Sequence, residues 1–210
     1  MTSLPQVLAF GGVVMLGAMS PGPDFAVVVR RSAVSGRNQG MVTAVGIAAG
    51  VFAWAAAAAT GVAALVAASA MAFTIVKVVG AAYLLYLGVR ALIGAVRGGG
   101  AEPDAPEAGR GSPWAAFREG LLCNVLNPKA AMFFVALMPQ FLSDGAPLGD
   151  TLVLSAVALV ITTVWFLTVA NLVGALRRIF ARPAARRTID ALSGAALIAL
   201  GVRLAAVSRP

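Results

Sequence analysis

The chain has 210 residues, 60% of them hydrophobic and only 11% charged, with a mean hydropathy of +0.91. Soluble domains carry about 45–50% apolar and about 25% charged residues, so composition excludes a water-soluble globule and makes the lipid bilayer the solvent. The net charge of +8 does not imply nucleic acid. The arginines lie between apolar runs, where the positive-inside rule expects them, and there is no soluble basic domain. The single cysteine, Cys123, excludes an intramolecular disulfide and a CxxC redox pair. The lack of histidine removes the commonest general base and metal ligand. No cofactor and no metal are therefore expected. The first apolar run has no basic segment before it, so it is expected to stay rather than to be cleaved as a signal peptide.

In chain order the sequence predicts six spans, roughly 4–29, 40–66, 72–92, 120–141, 151–176 and 189–207. No charged side chain occurs in 38–76, a stretch too long for one span of about 20 residues and suited to two joined by a short turn. The sixth span has the shortest uncharged centre, 191–202. It crosses only if Asp190 and Arg203 reach outward to the interfaces. All six must be helices, because lipid-exposed backbone has to satisfy its own hydrogen bonds.

The first span is interrupted at Ser20-Pro21-Gly22-Pro23-Asp24. Proline removes a donor and clashes with the preceding turn, so Pro21 and Pro23 around Gly22 open the helix. Asp24 stands where a half-helix restarts, at its positive end, as a capping residue or as a functional charge. A charge at mid-bilayer costs at least ~2.5–3.5 kcal/mol, which favours a function. The fourth span carries a second interruption, Asn124-Val125-Leu126-Asn127-Pro128-Lys129. Asn124 and Asn127 share a helix face, Pro128 breaks the ladder, and Lys129 follows it. Lys129 either snorkels to the cytoplasmic edge or lines a site.

Basic residues alternate by loop. The first loop has Arg30, Arg31 and Arg37, the third has Arg90, Arg97, Arg110 and Arg118, and the fifth has Arg177, Arg178, Arg182, Arg186 and Arg187. The second has none and the fourth has Asp144 and Asp150. Odd loops are therefore expected in the cytoplasm and both the N- and C-termini outside. The glycine- and proline-rich stretch 98–113 reads as a flexible cytoplasmic loop. It divides one membrane domain, 1–210, into a first half, 1–97, and a second half, 114–210. Three spans per half give the halves opposite orientations. The predicted fold is an all-α membrane protein of six transmembrane helices, arranged as two inverted three-helix repeats with the first and fourth helices broken at proline.

Discontinuous helices at corresponding positions of two halves point to a transport site. Asp24 and Lys129 have opposite charge, which suits a small zwitterionic substrate, with Asp24 facing an ammonium and Lys129 a carboxylate. Alternatively the two pair with each other when the site is empty. Asp24 is also the candidate proton carrier, because desolvation penalises a carboxylate and eases proton uptake.

The breaks and their flanks resemble the lysine exporter (LysE/RhtB) family of bacterial amino-acid exporters. Its PGPD element is similar to Pro21-Gly22-Pro23-Asp24. Its glycine-arginine loop is similar to Ser35-Gly36-Arg37 with Gly40, Gly46 and Gly50. The third-span pattern matches Lys77, Gly80-Ala81 and Tyr83 through Gly88, including Tyr86. The fourth-span element matches Gly120, Asn124, Asn127-Pro128-Lys129-Ala130 and Phe133-Phe134, closed by Pro139-Gln140-Phe141. The resemblance covers nearly the whole chain. It implies six helices and efflux of amino acids or similar metabolites across the bacterial cytoplasmic (inner) membrane, driven by protons. It adds Lys77, Tyr83, Tyr86, Gly36 and Arg37 as secondary candidates. Snorkelling for Lys77 and packing for the tyrosines are the simpler roles.

The small-residue face at Gly46 and Gly50 serves helix packing, a homodimer contact or a wall of the substrate path. Asn171, alone in a charge-free span, is expected to make an interhelical hydrogen bond. A metal or cation exporter of similar architecture is the alternative. It would need more ligands at depth than Asp24, Cys123 and the asparagines. A membrane redox protein or enzyme is disfavoured by one cysteine and no histidine.

Overall fold

The structure, a computed structural model, describes residues 3–59, 70–96, 112–142, 146–176 and 183–206. Among the described residues it is all-helical. The helices are α1 (Leu4–Met19), α2 (Pro23–Arg30), α3 (Arg37–Ala59), α4 (Ala70–Val96), α5 (Pro113–Val125), α6 (Pro128–Leu137), α7 (Leu148–Ala175) and α8 (Pro183–Ala206). A π-turn, Arg31–Ser35, extends α2, and a 3₁₀ turn, Met138–Gln140, extends α6.

Among the described residues, four segments are long and apolar enough to cross a membrane alone: Arg37–Ala59, Val78–Val96, Leu148–Ala175 and Arg187–Ala206. Two bent pairs have the same property jointly. Leu4–Met19 with Pro23–Ser35 turns by 64°, and Pro113–Val125 with Lys129–Gln140 by 59°. Counting each bent pair as one span gives six.

The first break follows from its prolines. Ser20 N–H donates to Leu16 O in the last turn of α1 at 3.1 Å, and Ala26 N–H donates to Gly22 O at 3.2 Å as α2 begins. Between them Pro21 and Pro23 supply no donor, so the ladder stops and restarts in a new direction. Gly22 is extended (φ −168°, ψ −170°), which any residue can adopt. A Cβ there would sit 3.6 Å from Lys129 Nζ, an ordinary van der Waals contact, so space does not demand glycine either.

Two boundaries differ from the sequence expectation, for one reason. The fourth span begins at Pro113 instead of 120, and the sixth helix at Pro183 instead of 189. Charges suggested an end in both places, but those charges have partners. Glu119 is buried and paired with Arg31. Asp190 is 2% exposed and paired with Arg30, so it does not reach outward. A paired charge does not terminate a membrane helix as a solvated one does. With α5 lengthened, the second break lies between a helix of 13 residues and one of 10, in the middle of its span rather than early in it. Asn171 also departs from expectation. Its Nδ2 donates to Leu167 O on its own helix at 2.8 Å.

Close backbone approach at glycine holds the bundle together. A Cβ on Gly46 would meet Phe117 O at 2.1 Å, and one on Gly120 would meet Thr43 O at 2.1 Å, so α3 and α5 touch backbone to backbone. Gly88 and Gly194 do the same for α4 and α8, since a Cβ on either would meet the other's carbonyl oxygen at 2.8 Å. Gly46→Ala and Gly120→Ala are each expected to cost about 1–3 kcal/mol as overpacking. Gly12→Ala, with nothing within 4 Å, should stay within about 0.5 kcal/mol. Thermal unfolding in detergent micelles checks the contrast; equal melting temperatures would refute backbone contact as the reason for glycine.

Three buried clusters fill the interior. One, around Phe10, Val14, Phe134, Met138 and Leu154, joins α1, α3, α6 and α7. A second, around Val27, Leu84, Cys123 and Leu197, joins α2, α4, α5 and α8. The third, around Val28, Ile47 and Phe166, joins α2, α3 and α7. The breaks at Ser20–Gly22 and Leu126–Asn127 lie where these clusters meet.

Candidate functional site

The two breaks meet at Asp24. It occupies the first turn of α2, where the positive helix end favours a carboxylate. Asn124, at the end of α5, donates from Nδ2 to Asp24 Oδ2 at 2.9 Å. Asn127 donates from Nδ2 to the same oxygen at 3.4 Å. The Asn127 Oδ1 accepts from the backbone N–H of Lys129 at 3.0 Å, which caps α6. Asn127 therefore starts the second half-helix and holds the acid of the first break with one side chain. Cys123 packs beside the same carboxyl.

Two acceptors in this group are left over. Asp24 Oδ1 and Asn124 Oδ1 are both buried and have no hydrogen-bond partner. A buried acceptor without a donor costs about 1–3 kcal/mol. Two on adjacent side chains suit a group that brings donors of its own, such as an ammonium or a proton.

Lys129 does not pair directly with Asp24. Its Nζ donates to Ser20 O at 3.1 Å, a carbonyl released by the first break. The second break is treated in the same way from the opposite side. Trp54 Nε1, on α3, donates to Val125 O at 3.2 Å. In an unbroken helix that carbonyl would have received the N–H of Lys129, which goes to Asn127 instead. A cavity of about 60 Å³ adjoins the group. Asp24, Asn124, Asn127 and Lys129 line its polar side, and Val14, Gly17, Phe133, Phe134, Thr162 and Phe166 line its apolar side.

The structure thus brings together Asp24, Lys129, Asn124 and Asn127 around the breaks made by Pro21, Gly22, Pro23 and Pro128. Of the secondary candidates, Tyr83, Tyr86, Gly36 and Arg37 do not line the cavity. Tyr83 is half-buried and its ring stacks on Tyr86, with centroids 6.4 Å apart. Tyr86 is exposed and its hydroxyl accepts from Arg90 Nη1 at 3.2 Å. Gly36 ends the π-turn with φ +103°, a conformation that favours glycine. Arg37 lies over Gly174, where a Cβ would meet the arginine's Cβ at 2.7 Å. Lys77 lies on α4, and its side chain is outside the described residues. The predicted loop 98–113 is likewise outside them, apart from its last two residues.

Sequence reasoning missed Trp54 as the partner of a freed carbonyl, and the aromatic lining from Phe133, Phe134 and Phe166. For Trp54 there was a signal: an indole inside a span needs an acceptor, and a broken helix nearby has one to give. For the phenylalanines there was none, because phenylalanine in a membrane helix is ordinary.

The LysE type translocator family model matches residues 15–208, nearly the whole chain. The threonine efflux protein of Escherichia coli (strain K12) is 31% identical over 192 residues, covering 90% of this chain and 92% of the relative. The threonine efflux protein of Salmonella typhimurium matches with the same identity and coverage. The uncharacterized membrane protein YrhP of Bacillus subtilis is 25% identical over 204 residues, covering 94% of this chain and 97% of its own. No solved structure matches significantly. With a proline-broken pair of helices meeting at a buried acid, and this similarity along nearly its full length, the chain belongs to the LysE family of translocators, which are transporters and not enzymes.

Proposed function

We propose that this translocator exports a small neutral amino acid, or a close analogue, from the bacterial cytoplasm in exchange for protons. The observation that carries the reading is the pair of buried, unpartnered acceptors, Asp24 Oδ1 and Asn124 Oδ1, beside Lys129 where the two broken helices meet. In this reading the substrate ammonium takes the two acceptors, and its carboxylate draws Lys129 Nζ from Ser20 O. The cavity is small, and the curated relatives at 31% identity are threonine efflux proteins, which favours a cargo of threonine's size. Asp24 alternates between binding the ammonium and binding a proton, so the two occupants exclude each other. That competition is what exchange requires.

The six spans form two inverted halves, 1–97 and 114–210, joined through the cytoplasmic loop 98–113. The arginine-rich loops face the cytoplasm and both termini face outward. Three spans in each half support the inverted relation, and the arginines of the odd loops support the orientation.

Purified protein in proteoliposomes is expected to catalyse counterflow of threonine or a similar small amino acid. A pH gradient should accelerate efflux. Counterflow of no member of an amino-acid panel, in protein shown to be correctly inserted, would refute the substrate class. Efflux indifferent to the gradient would refute proton exchange alone.

A further inference from the structure

Among the described residues, two ion pairs join the first half of the chain to the second, both on one side of the site. Arg30, the last residue of α2, donates from Nε to Asp190 Oδ1 on α8 at 2.9 Å. Arg31, the first residue of the π-turn, donates from Nε to Glu119 Oε2 on α5 at 2.7 Å, and its Nη2 contacts the same oxygen. Neighbouring arginines thus reach to different helices of the opposite half. The acids are nearly enclosed, with side-chain exposures of 3% for Asp190 and 10% for Glu119.

Their depth follows from helix rise. Arg30 lies six residues beyond Asp24, about 9 Å at 1.5 Å per residue, and Glu119 lies five residues before Asn124, about 7.5 Å. Both displacements run toward the arginine-rich loops. The cavity extends the other way, between α1 and α6. Between site and ion pairs stand Val27, Val28 and Cys123, all at 1% exposure or less. The site is therefore shut toward the arginine-rich end, and the two ion pairs are the charged contacts that hold the halves together there. The π-turn that carries Arg31 ends at Gly36, and such turns are frequent at functional sites.

We infer that Arg30–Asp190 and Arg31–Glu119 are the latch of the cytoplasmic gate, which must part before substrate from the cytoplasm reaches Asp24. Their role in transport is positional: they touch neither substrate nor proton, and they set which side of the membrane the site faces. The inference rests on the exporter reading for its purpose and on the loop charges for its side. Its test requires neither transport nor a known substrate.

The chain's one cysteine is a built-in reporter, because Cys123 is buried beside Asp24, behind the latch. The variant Arg30→Gln/Asp190→Asn/Arg31→Gln/Glu119→Gln removes both members of each pair and leaves no lone buried charge. Membrane vesicles of each orientation are treated with a charged, impermeant methanethiosulfonate. In the variant, Cys123 should react at least about tenfold faster than in the parent chain from the arginine-rich face, with little change from the opposite face. The exchanged pair Arg31→Glu/Glu119→Arg, which restores attraction in reverse, should return the rate to within about threefold of the parent. An unchanged rate from that face, in variant protein with a normal elution profile, would overturn the latch. Equal acceleration from both faces would also overturn it, because it reports general loosening. Loss of melting temperature without any change in labelling would reduce the pairs to structural contacts.

Discussion

Asp24→Asn is expected to abolish gradient-driven efflux while leaving insertion and folding intact. Asparagine has the same shape, and its Oδ1 can still accept from Asn124 Nδ2, now 2.9 Å from the carboxylate. What it lacks is a titratable proton site and a negative charge. Removing one partner of a buried, hydrogen-bonded charge pair costs about 2–5 kcal/mol. At 1.4 kcal/mol per factor of ten, the ammonium contact alone is worth roughly 30-fold or more in affinity. Coupling should be lost altogether, because an asparagine cannot carry the proton back. The measurement is efflux from proteoliposomes with and without a pH gradient, alongside counterflow at saturating substrate. The variant should show no response to the gradient, with any residual exchange insensitive to pH. A variant that still concentrates substrate against its gradient would exclude Asp24 as the proton carrier.

The second effect is expected at Lys129, and it is selective. Lys129→Met keeps the length and apolar stem of the side chain but removes its charge and donors. Substrates with a free carboxylate should lose up to about fivefold in affinity, because Lys129 is exposed and an exposed ion pair is worth at most about 1 kcal/mol. Amines of similar size without the carboxylate should change by less than about threefold, since a surface-accessible charge with no partner adds little. Competition against a labelled amino acid, with each amino acid paired to its decarboxylated amine, gives both values in one experiment. Equal losses for the two series would assign Lys129 to the helix break alone, where it already holds Ser20 O at 3.1 Å. The two substitutions thus separate the ammonium end of the cargo from its carboxylate end.

Much of this was legible in the sequence because membrane helices obey few rules. Charge-free runs located spans, and proline located the breaks, since no lipid-facing backbone can lose a donor unnoticed. Asp24 and Lys129 stood out for a related reason, as charges within apolar runs, and the structure brings both to one cavity. Boundaries failed where a charge had a partner distant in sequence. Glu119 and Asp190 looked like helix ends until Arg31 and Arg30, 88 and 160 positions away, were seen to neutralise them. No local pattern encodes such pairs. Lys77, Tyr83, Tyr86, Gly36 and Arg37 entered through resemblance alone, and the described geometry leaves the tyrosines, Gly36 and Arg37 away from the cavity. Trp54 shows the converse. An indole inside a span calls for an acceptor, but that the acceptor is Val125 O, 71 positions away, shows only in the fold.

The way the freed carbonyls are answered has a consequence for biogenesis. The oxygen released in the first half, Ser20 O, is held by Lys129 of the second, and the one released in the second, Val125 O, is held by Trp54 of the first. Neither half can complete its own kink. During synthesis the first half emerges with Ser20 O lacking its helical donor, and Lys129 reaches it only once the second half has been made. Both hydrogen bonds therefore favour assembly of the two halves, and Lys129 both answers the first break and lines the cavity.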